Sequence, residues 1–558
     1  MKLSRTGTFT KAGIITLIII AITAGLVSFN EDRDFKLLKN LDIYYSLFRE
    51  LNVFYVDDIE PEKLVEISIN EMLQSLDPYT VYIPESDIDD FNFATTGNYG
   101  GIGSLIRKSG DFAVISEIYK DFPADLAGLK AGDIIREIDG KSIEGLALHK
   151  VSDQLKGLPD SEVGVTIKRY GIDEFFTVTL FRKKIHIPGV PYYGMLHENI
   201  GYIRLSNFTQ DCYKDVKAAL TDLKKTHSPK SLILDLRGNP GGLLIEAVNV
   251  SNLFVDKGQE IVSTKGKIKQ FDETYRARNL PVDTQIPIVI LVNRGSASAS
   301  EIVAGALQDI DRAVIIGTRT FGKGLVQTTR PLSYNSRLKV TTAKYYIPSG
   351  RCIQTLDYSN RNEDGSVGFV PDSLISEYKT QNGRLVYDGG GISPDIEIIK
   401  ESLSQLTIEL FTDFLFFDFS TRYYLTTDSI LPPGDFEITD AIYLDFIAFV
   451  KEQNFNYETK TDRALLTLEK IAKNEKYYQF SENEFTALSK KLSRDLEQDM
   501  NAFSKEIKII LEETIIDRYY YRSGMIQSSL SYDKQIEKAC ELLKDNNIYT
   551  AILNPSDQ

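Results

Sequence analysis

Two short segments with almost no polar residues constrain this chain most: Ser231-Leu-Ile-Leu-Asp-Leu and Ile286-Pro-Ile-Val-Ile-Leu-Val. Runs so short and so apolar fit strands with both faces buried. Across residues 185–400 such strands alternate with helical stretches, which is an α/β pattern. The flanking regions differ in character. Residues 31–92 carry apolar residues at helical spacing (Leu37, Leu38, Leu41; Leu64, Val65, Ile67, Ile69, Met72, Leu73) until Asp77-Pro78 stops the pattern. Residues 93–184 turn to glycines and short alternating strands such as Phe112-Ala-Val-Ile-Ser-Glu-Ile, and residues 401–558 are helical, charged and rich in Tyr and Phe. The fold class expected is multidomain α/β: residues 1–30 a membrane anchor or signal, 31–92 a helical segment, 93–184 a small β-rich domain with helices, 185–400 the core, 401–558 a helical domain.

Composition removes several classes of function. A net charge of −15 and a pI near 5.0 exclude an electrostatic nucleic-acid binder, which needs clustered Lys and Arg. Three dispersed cysteines (Cys212, Cys352, Cys540) cannot build a disulfide framework, and four histidines (His149, His186, His197, His227) lack metal-ligand spacing. No metal or other cofactor is expected. At the N-terminus, Lys2, Arg5 and Lys11 precede an uncharged run from Ala12 to Phe29, followed by Glu31, Asp32, Arg33 and Asp34. Eighteen such residues just suffice to cross a bilayer, with the positive flank left in the cytoplasm. The alternative is a cleaved signal peptide, for which Thr23-Ala24-Gly25 makes a poor processing site. Either way the rest of the chain is expected outside the cytoplasm, on the periplasmic side of the cell envelope.

Gly100, Gly101, Ile102 and Gly103 lead into a strand in Tyr99-Gly-Gly-Ile-Gly-Ser-Leu-Ile. Glycines before an edge strand leave backbone N–H groups to grip a terminal carboxylate, while the strand edge accepts a peptide as an added strand. A plain hairpin turn would use the same glycines. The turn-rich run Pro123-Ala-Asp-Leu-Ala-Gly-Leu-Lys-Ala-Gly-Asp-Ile-Ile-Arg-Glu-Ile-Asp-Gly-Lys closely resembles a PDZ domain of the kind found in exported proteases.

Chemistry concentrates in the α/β region. Ser298 lies in Gly295-Ser-Ala-Ser-Ala-Ser-Glu and Lys323 in Thr320-Phe-Gly-Lys-Gly-Leu-Val-Gln. A serine hydroxyl needs an adjacent base, and a lysine serves only if its surroundings lower its pKa. Phe321, Leu325 and Val326 are expected to strip water from the amine. Gln327, four residues on, shares a face with Lys323 in helix or strand and can hold the amine toward the serine. Both residues have simpler readings: Ser298-x-x-Glu301 is a capping-box pattern, and a lysine between glycines is ordinarily solvated. The turn Arg237-Gly-Asn-Pro-Gly-Gly can aim successive N–H groups at one point, a concavity suited to an oxyanion, or simply join strand to helix.

These motifs, with Asp235-Leu-Arg-Gly-Asn-Pro-Gly-Gly, Thr341-Thr-Ala-Lys-Tyr-Tyr-Ile-Pro-Ser-Gly-Arg and Asp388-Gly-Gly-Gly-Ile-Ser-Pro-Asp, resemble the C-terminal processing peptidases, also called tail-specific proteases, over about residues 40–400. The resemblance implies a Ser/Lys-dyad serine endopeptidase with Ser298 as nucleophile, Lys323 as general base and Gln327 orienting it. It implies an oxyanion hole from Ala299 and either Gly241 or Gly242, and a PDZ domain that takes free C-terminal tails and gates the dyad. Expected partners are tailed protein substrates, the membrane through the N-terminal segment, and a second copy or an activating adaptor. Residues 401–558 fall outside the resemblance; Ala464–Ile471 and Phe503–Leu511 suggest packed helices there. Two other classes compete: a non-catalytic PDZ scaffold, and a Ser/Lys amidase or esterase acting on small substrates.

Overall fold

A computed structural model describes residues 34–555 except 198, 363, 400, 458, 493 and 494. The expected membrane anchor at Ala12–Phe29 lies outside the described residues, among which no helix is long and apolar enough to cross a membrane. The described residues form two compact units, the second beginning at Ile83. In the first, residues 34–54 and Pro61–Gln74 are helical, and Phe35, Leu38, Leu41, Tyr45, Leu47 and Phe54 are exposed.

The second unit opens into the small β-rich domain for which the sequence suggests a PDZ fold. Its sheet contains Ser104–Ser109 (β1), Phe112–Ile118 (β2), Ile134–Ile138 (β3), Glu162–Lys168 (β4) and Phe176–Phe181 (β5), hydrogen-bonded in that order. β1 is therefore an edge strand, and the helix Leu148–Leu155 (α1) packs beside it. Strand alternation explains the core: Val163, Val165 and Ile167 point inward from β4 and meet Ile115, Ile135 and Val151. Asn98–Gly101, before β1, pairs antiparallel with Lys183–His186, after β5. The domain thus sits on a two-stranded stalk made from its own two ends.

The α/β region is built on a six-stranded sheet in the order Tyr192–Leu196 (β6), Ile200–Arg204 (β7), Ser231–Asp235 (β8), Ile288–Val292 (β9), Val314–Gly317 (β10) and Ile396–Glu397. All neighbours run parallel except β6 against β7. β8 and β9 are buried along their whole length, as strands covered on both faces must be. One face is covered by Cys212–Thr226 (α2), Leu244–Asn252 (α3) and Ala299–Asp309 (α4). α2 shows why: Cys212, Val216, Ala219, Leu220 and Leu223 form one buried stripe. A smaller antiparallel sheet, with Leu325–Pro331 (β11) on Arg337–Tyr346 (β12) and Glu260–Gly266 beyond, flanks this layer.

The other face is covered from the far end of the chain. Lys534–Lys544 and Asn546–Leu553 place Ile536, Ala539, Cys540, Leu542 and Tyr549 against Tyr202, Ile233, Val289, Leu291 and Ile316. The helices Gln405–Thr412, Leu415–Thr426, Asp440–Glu452, Leu496–Ala502 and Ser504–Ser529 build a separate core around Phe416, Phe419, Phe446, Ile507 and Leu511. Of the two segments expected to pack, Phe503–Leu511 does, whereas Lys460–Asn474 buries no residue and exposes Leu466, Leu468 and Ile471. It touches only Tyr478–Phe480 and Glu482–Leu492 to any extent, so these three apolar side chains stay in water.

The helical region also grips the PDZ domain. The Arg107 guanidinium of β1 lies 3.7 Å from the ring centroid of Phe414 and 4.4 Å from that of Phe417, and Arg518 stands 4.4 Å from the same Phe417 ring. Within Ser504–Ser529, Tyr521 breaks the helix (φ 57°), and its hydroxyl donates to Asp125 Oδ1 of the PDZ domain at 2.7 Å.

Candidate active site

Three consecutive loops leave the carboxyl ends of β8, β9 and β10, where open parallel sheets build their sites. They carry the Arg237–Gly242 turn, the Ser298 elbow and the Lys323 loop. The loops are stitched together by hydrogen bonds. Asn293 Oδ1 accepts from the N–H groups of Gly238 and Gly295, Ser296 Oγ donates to the Leu236 carbonyl, and Phe321 N–H donates to the Ser296 carbonyl at 3.0 Å. Asn239, fully buried, accepts at its carbonyl from Ala297 N–H and Ser300 Oγ.

Ser298 is half-buried and stands immediately before α4 with φ 55° and ψ −112°. A non-glycine residue there carries strain of about 1–3 kcal/mol and persists only where its surroundings over-determine it. The glutamate half of the expected capping box is present, the Glu301 carboxylate accepting from Ser298 N–H at 2.8 Å, whereas Glu301 N–H donates to the Ser298 backbone carbonyl. A cap at this position does not exclude a nucleophile, because a helix N-terminus favours negative charge. All eleven residues of α4 are buried, and a Cβ on Gly305 would meet Ile347 and Ile392 at 2.7 Å.

Glu301 does more than cap. Its Oε2 accepts from both Ser298 N–H (2.8 Å) and Lys323 N–H (2.9 Å), and its Oε1 accepts from Gly322 N–H (2.7 Å) and Thr320 Oγ1 (2.6 Å). One carboxylate therefore holds the backbones of the serine and lysine loops a few ångströms apart. Complete burial pushes this carboxyl up to about 7, against the downward pull of its four donors. The Tyr345 hydroxyl, from the end of β12, addresses the same two residues from the carbonyl side.

Lys323 is half-buried beside buried Leu325, but Phe321 is 48% exposed and does not enclose it. Lys323 also lies before β11, and the β11–β12 register shifts between Val326 and Gln327. The shared-face argument for Gln327 thus does not apply as the sequence suggested. The Gln327 amide donates to Thr341 Oγ1 across the ladder at 3.2 Å.

Gly241 (φ +97°) is pressed against the serine: a Cβ there would lie 2.8 Å from Ser298 Cβ and 2.9 Å from Ala299 N. Its N–H already donates to Asn239 Oδ1 at 2.9 Å. The N–H groups of Gly242 and Ala299 donate to no group among the described residues. In the PDZ domain, Gly100 and Gly101 pair with Lys184 and Lys183 in the stalk rather than lying open in a loop. Ile102 is buried; its carbonyl accepts from Ala124 N–H, and that of Gly103 accepts from Tyr119 N–H.

A family model described as peptidase family S41 matches residues 199–359, which contain the serine elbow, the lysine loop and the glycine turn. A carboxy-terminal-processing protease of Bartonella bacilliformis is 38% identical over 373 residues, covering 66% of this chain and 82% of the relative. The chain belongs to peptidase family S41. It is a serine-type, carboxy-terminal-processing peptidase by family. A probable CtpA-like serine protease of Staphylococcus aureus is 35% identical, with 66% of this chain and 72% of that one covered. Among solved structures, the photosystem II D1 C-terminal processing protease is 31% identical, with a TM-score of 0.35, covering 65% of this chain and 93% of that one. A PDZ model matches residues 114–169, and a model described as the C-terminal helical domain of a probable PDZ-protease matches 406–543.

Sequence reasoning passed over two groups of this S41 site. Glu301 was legible only as a capping partner, since nothing local shows that a loop 20 residues on would fold onto it. Tyr345 lay in a recognised motif, but a tyrosine in a strand ordinarily signals packing.

Proposed function

We propose that this protein is an envelope endopeptidase in which Ser298 is the nucleophile and Lys323 the general base. The observation that carries this is the shared acceptor: the N–H groups of both residues converge on Glu301 Oε2, so the fold brings two separate motifs into one site. Neutral Lys323 takes the Ser298 proton as the oxygen attacks a peptide carbonyl. The tetrahedral oxyanion is met by the N–H groups of Ala299 and Gly242; Gly241, whose N–H is engaged, supplies closeness instead. Lys323 then protonates the leaving amine, and water repeats the cycle on the acyl-enzyme. The Gln327 carbonyl orients the amine while its amide is anchored on Thr341.

Substrates are exported proteins with free C-terminal tails. Edge strand β1, flanked by α1 and preceded by Gly100–Gly103, offers the open strand edge that tail capture requires. Residues 12–29 anchor the chain, with the catalytic unit on the periplasmic side. An adaptor or a second copy has available the exposed apolar stripe of Lys460–Asn474.

The test is cleavage of an unfolded protein with an apolar tail by the full chain, beside Ser298→Ala and Lys323→Ala copies. Both variants are expected to lose at least a thousandfold in kcat, the scale of removing a nucleophile or its base. Cleavage that survives either substitution excludes the dyad. A wild-type chain that cuts nothing while binding tails indicates a scaffold, and hydrolysis of small esters with proteins spared indicates an amidase or esterase.

A further inference from the structure

Lys323 and Ser298 are held on their carbonyl sides by a group with no assigned role. Tyr345 is 1% exposed at the end of β12. Its backbone N–H donates to the Gly324 carbonyl at 3.0 Å, and its hydroxyl lies 2.5 Å from the Lys323 carbonyl oxygen and 3.1 Å from that of Ser298. A phenol has one proton to donate. Here that proton stands between the carbonyls of the two residues whose N–H groups share Glu301 Oε2. We infer that Tyr345 is a positioning residue for the dyad: its hydroxyl clamps the lysine loop against the serine elbow from the side opposite Glu301. The inference rests on the Ser298/Lys323 reading.

Three observations make this more than packing. The aromatic ring alone fills its place in the core around α4, so the hydroxyl is not needed for volume. Ser298 occupies a strained conformation that requires restraint on both sides of its Cα; Glu301 restrains the N–H side, and Tyr345 with the helix N–H groups restrains the carbonyl side. The strand that ends on Tyr345 also carries Thr341, the acceptor for Gln327. β12 thus reaches all three residues of the proposed dyad and its orienting amide.

The experiment compares full-length wild type with Tyr345→Phe on a fluorescein-labelled unfolded protein bearing an apolar C-terminal tail. A loss of about tenfold to a hundredfold in kcat is expected, with KM within twofold and the melting temperature nearly unchanged. A fluorophosphonate probe should label Ser298 more slowly by the same factor. In a Lys323→Ala background, Tyr345→Phe should cost much less than in wild type, because the hydroxyl acts chiefly by holding the lysine loop against Ser298. Replacement of Tyr345 by 4-aminophenylalanine, which keeps the ring and a donor, should restore most of the activity; this variant also serves if the phenylalanine variant folds poorly. Unchanged kcat in a folded Tyr345→Phe, an additive loss in the Lys323→Ala background, or a folded but inactive 4-aminophenylalanine variant each overturns the inference. Lys323→Ala or Ser298→Ala chains that still cleave would instead overturn the dyad reading beneath it.

Discussion

Glu301 shows what a single buried carboxyl does for two loops. Four donors, three of them backbone N–H groups, satisfy its oxygens, yet its burial is complete. Removal from water outweighs those donors and lifts its pKa from an ordinary 4.5 to about 7. The folded state therefore binds a proton that the unfolded state has already released between those values. Stability from this proton is fully present below about pH 4.5 and is lost as pH rises through about 7, a difference of about 3 kcal/mol. Glu301→Gln is uncharged at every pH and lacks this slope. Urea unfolding at pH 5 and pH 8 should show wild type losing about 2.5 kcal/mol relative to the variant over that interval. Identical slopes for the two chains would disprove the assignment. The variant should also turn over poorly at both pH values, since in either orientation its amide nitrogen would face at least one backbone N–H donor instead of accepting from it.

At the scale of elements, α4 is the part that both ends of the site depend on. Its first turn carries Ser298 and Glu301, and its last turn is pinned by Arg351, which donates to Gln308 Oε1 and Asp309 Oδ1, each at 2.8 Å. Arg351 and Asp309 are each no more than 1% exposed at the side chain. Removing one partner of such a pair leaves an uncompensated buried charge, worth about 3–5 kcal/mol. Arg351→Ala should lower the thermal transition of the core and abolish cleavage. Arg351→Lys should fall between, because an ammonium keeps the charge without the planar fork. Calorimetry of the three chains decides this, and an Arg351→Ala transition at the wild-type temperature would refute it. The same pair explains how much was legible beforehand. The motif Thr341–Arg351 was visible as a block, as were the serine and lysine blocks, because each is local. Their assembly was not, since Arg351 and Tyr345 act on residues 42 and 22 to 47 positions away. Strand register hid Gln327 in the same way: the shift beside Val326 cannot be read from alternation.

At the scale of the molecule, a division at residue 400 follows composition but not packing. The catalytic sheet needs cover on both faces, and residues 185–400 supply the cover for one. Ile536, Ala539, Cys540, Leu542 and Tyr549 supply it for the other, and the Tyr549 hydroxyl donates to the Ile288 carbonyl at 3.1 Å within β9. Nothing in the amphipathic pattern of Lys534–Lys544 names the surface it will cover, so sequence alone could only call it helical. A chain ending after Ser531 would present Tyr202, Ile233, Val289, Leu291, Val314 and Ile316 to water. Each such side chain loses about 1.5–3 kcal/mol of burial, which summed over the face is comparable with the whole stability of an ordinary domain. That truncation should therefore be insoluble or lack a cooperative transition, even though it retains Ser298, Lys323 and the entire PDZ domain. Ile536→Asp in the full chain tests the same contact with one atom group: a carboxylate facing the sheet should depress the core transition strongly, whereas Leu466→Asp, on the exposed stripe of Lys460–Asn474, should leave it in place. Circular dichroism melts of the two variants separate the cases. A soluble, cooperatively melting and active chain ending at Ser531 would show that the last two helices lie outside the catalytic fold.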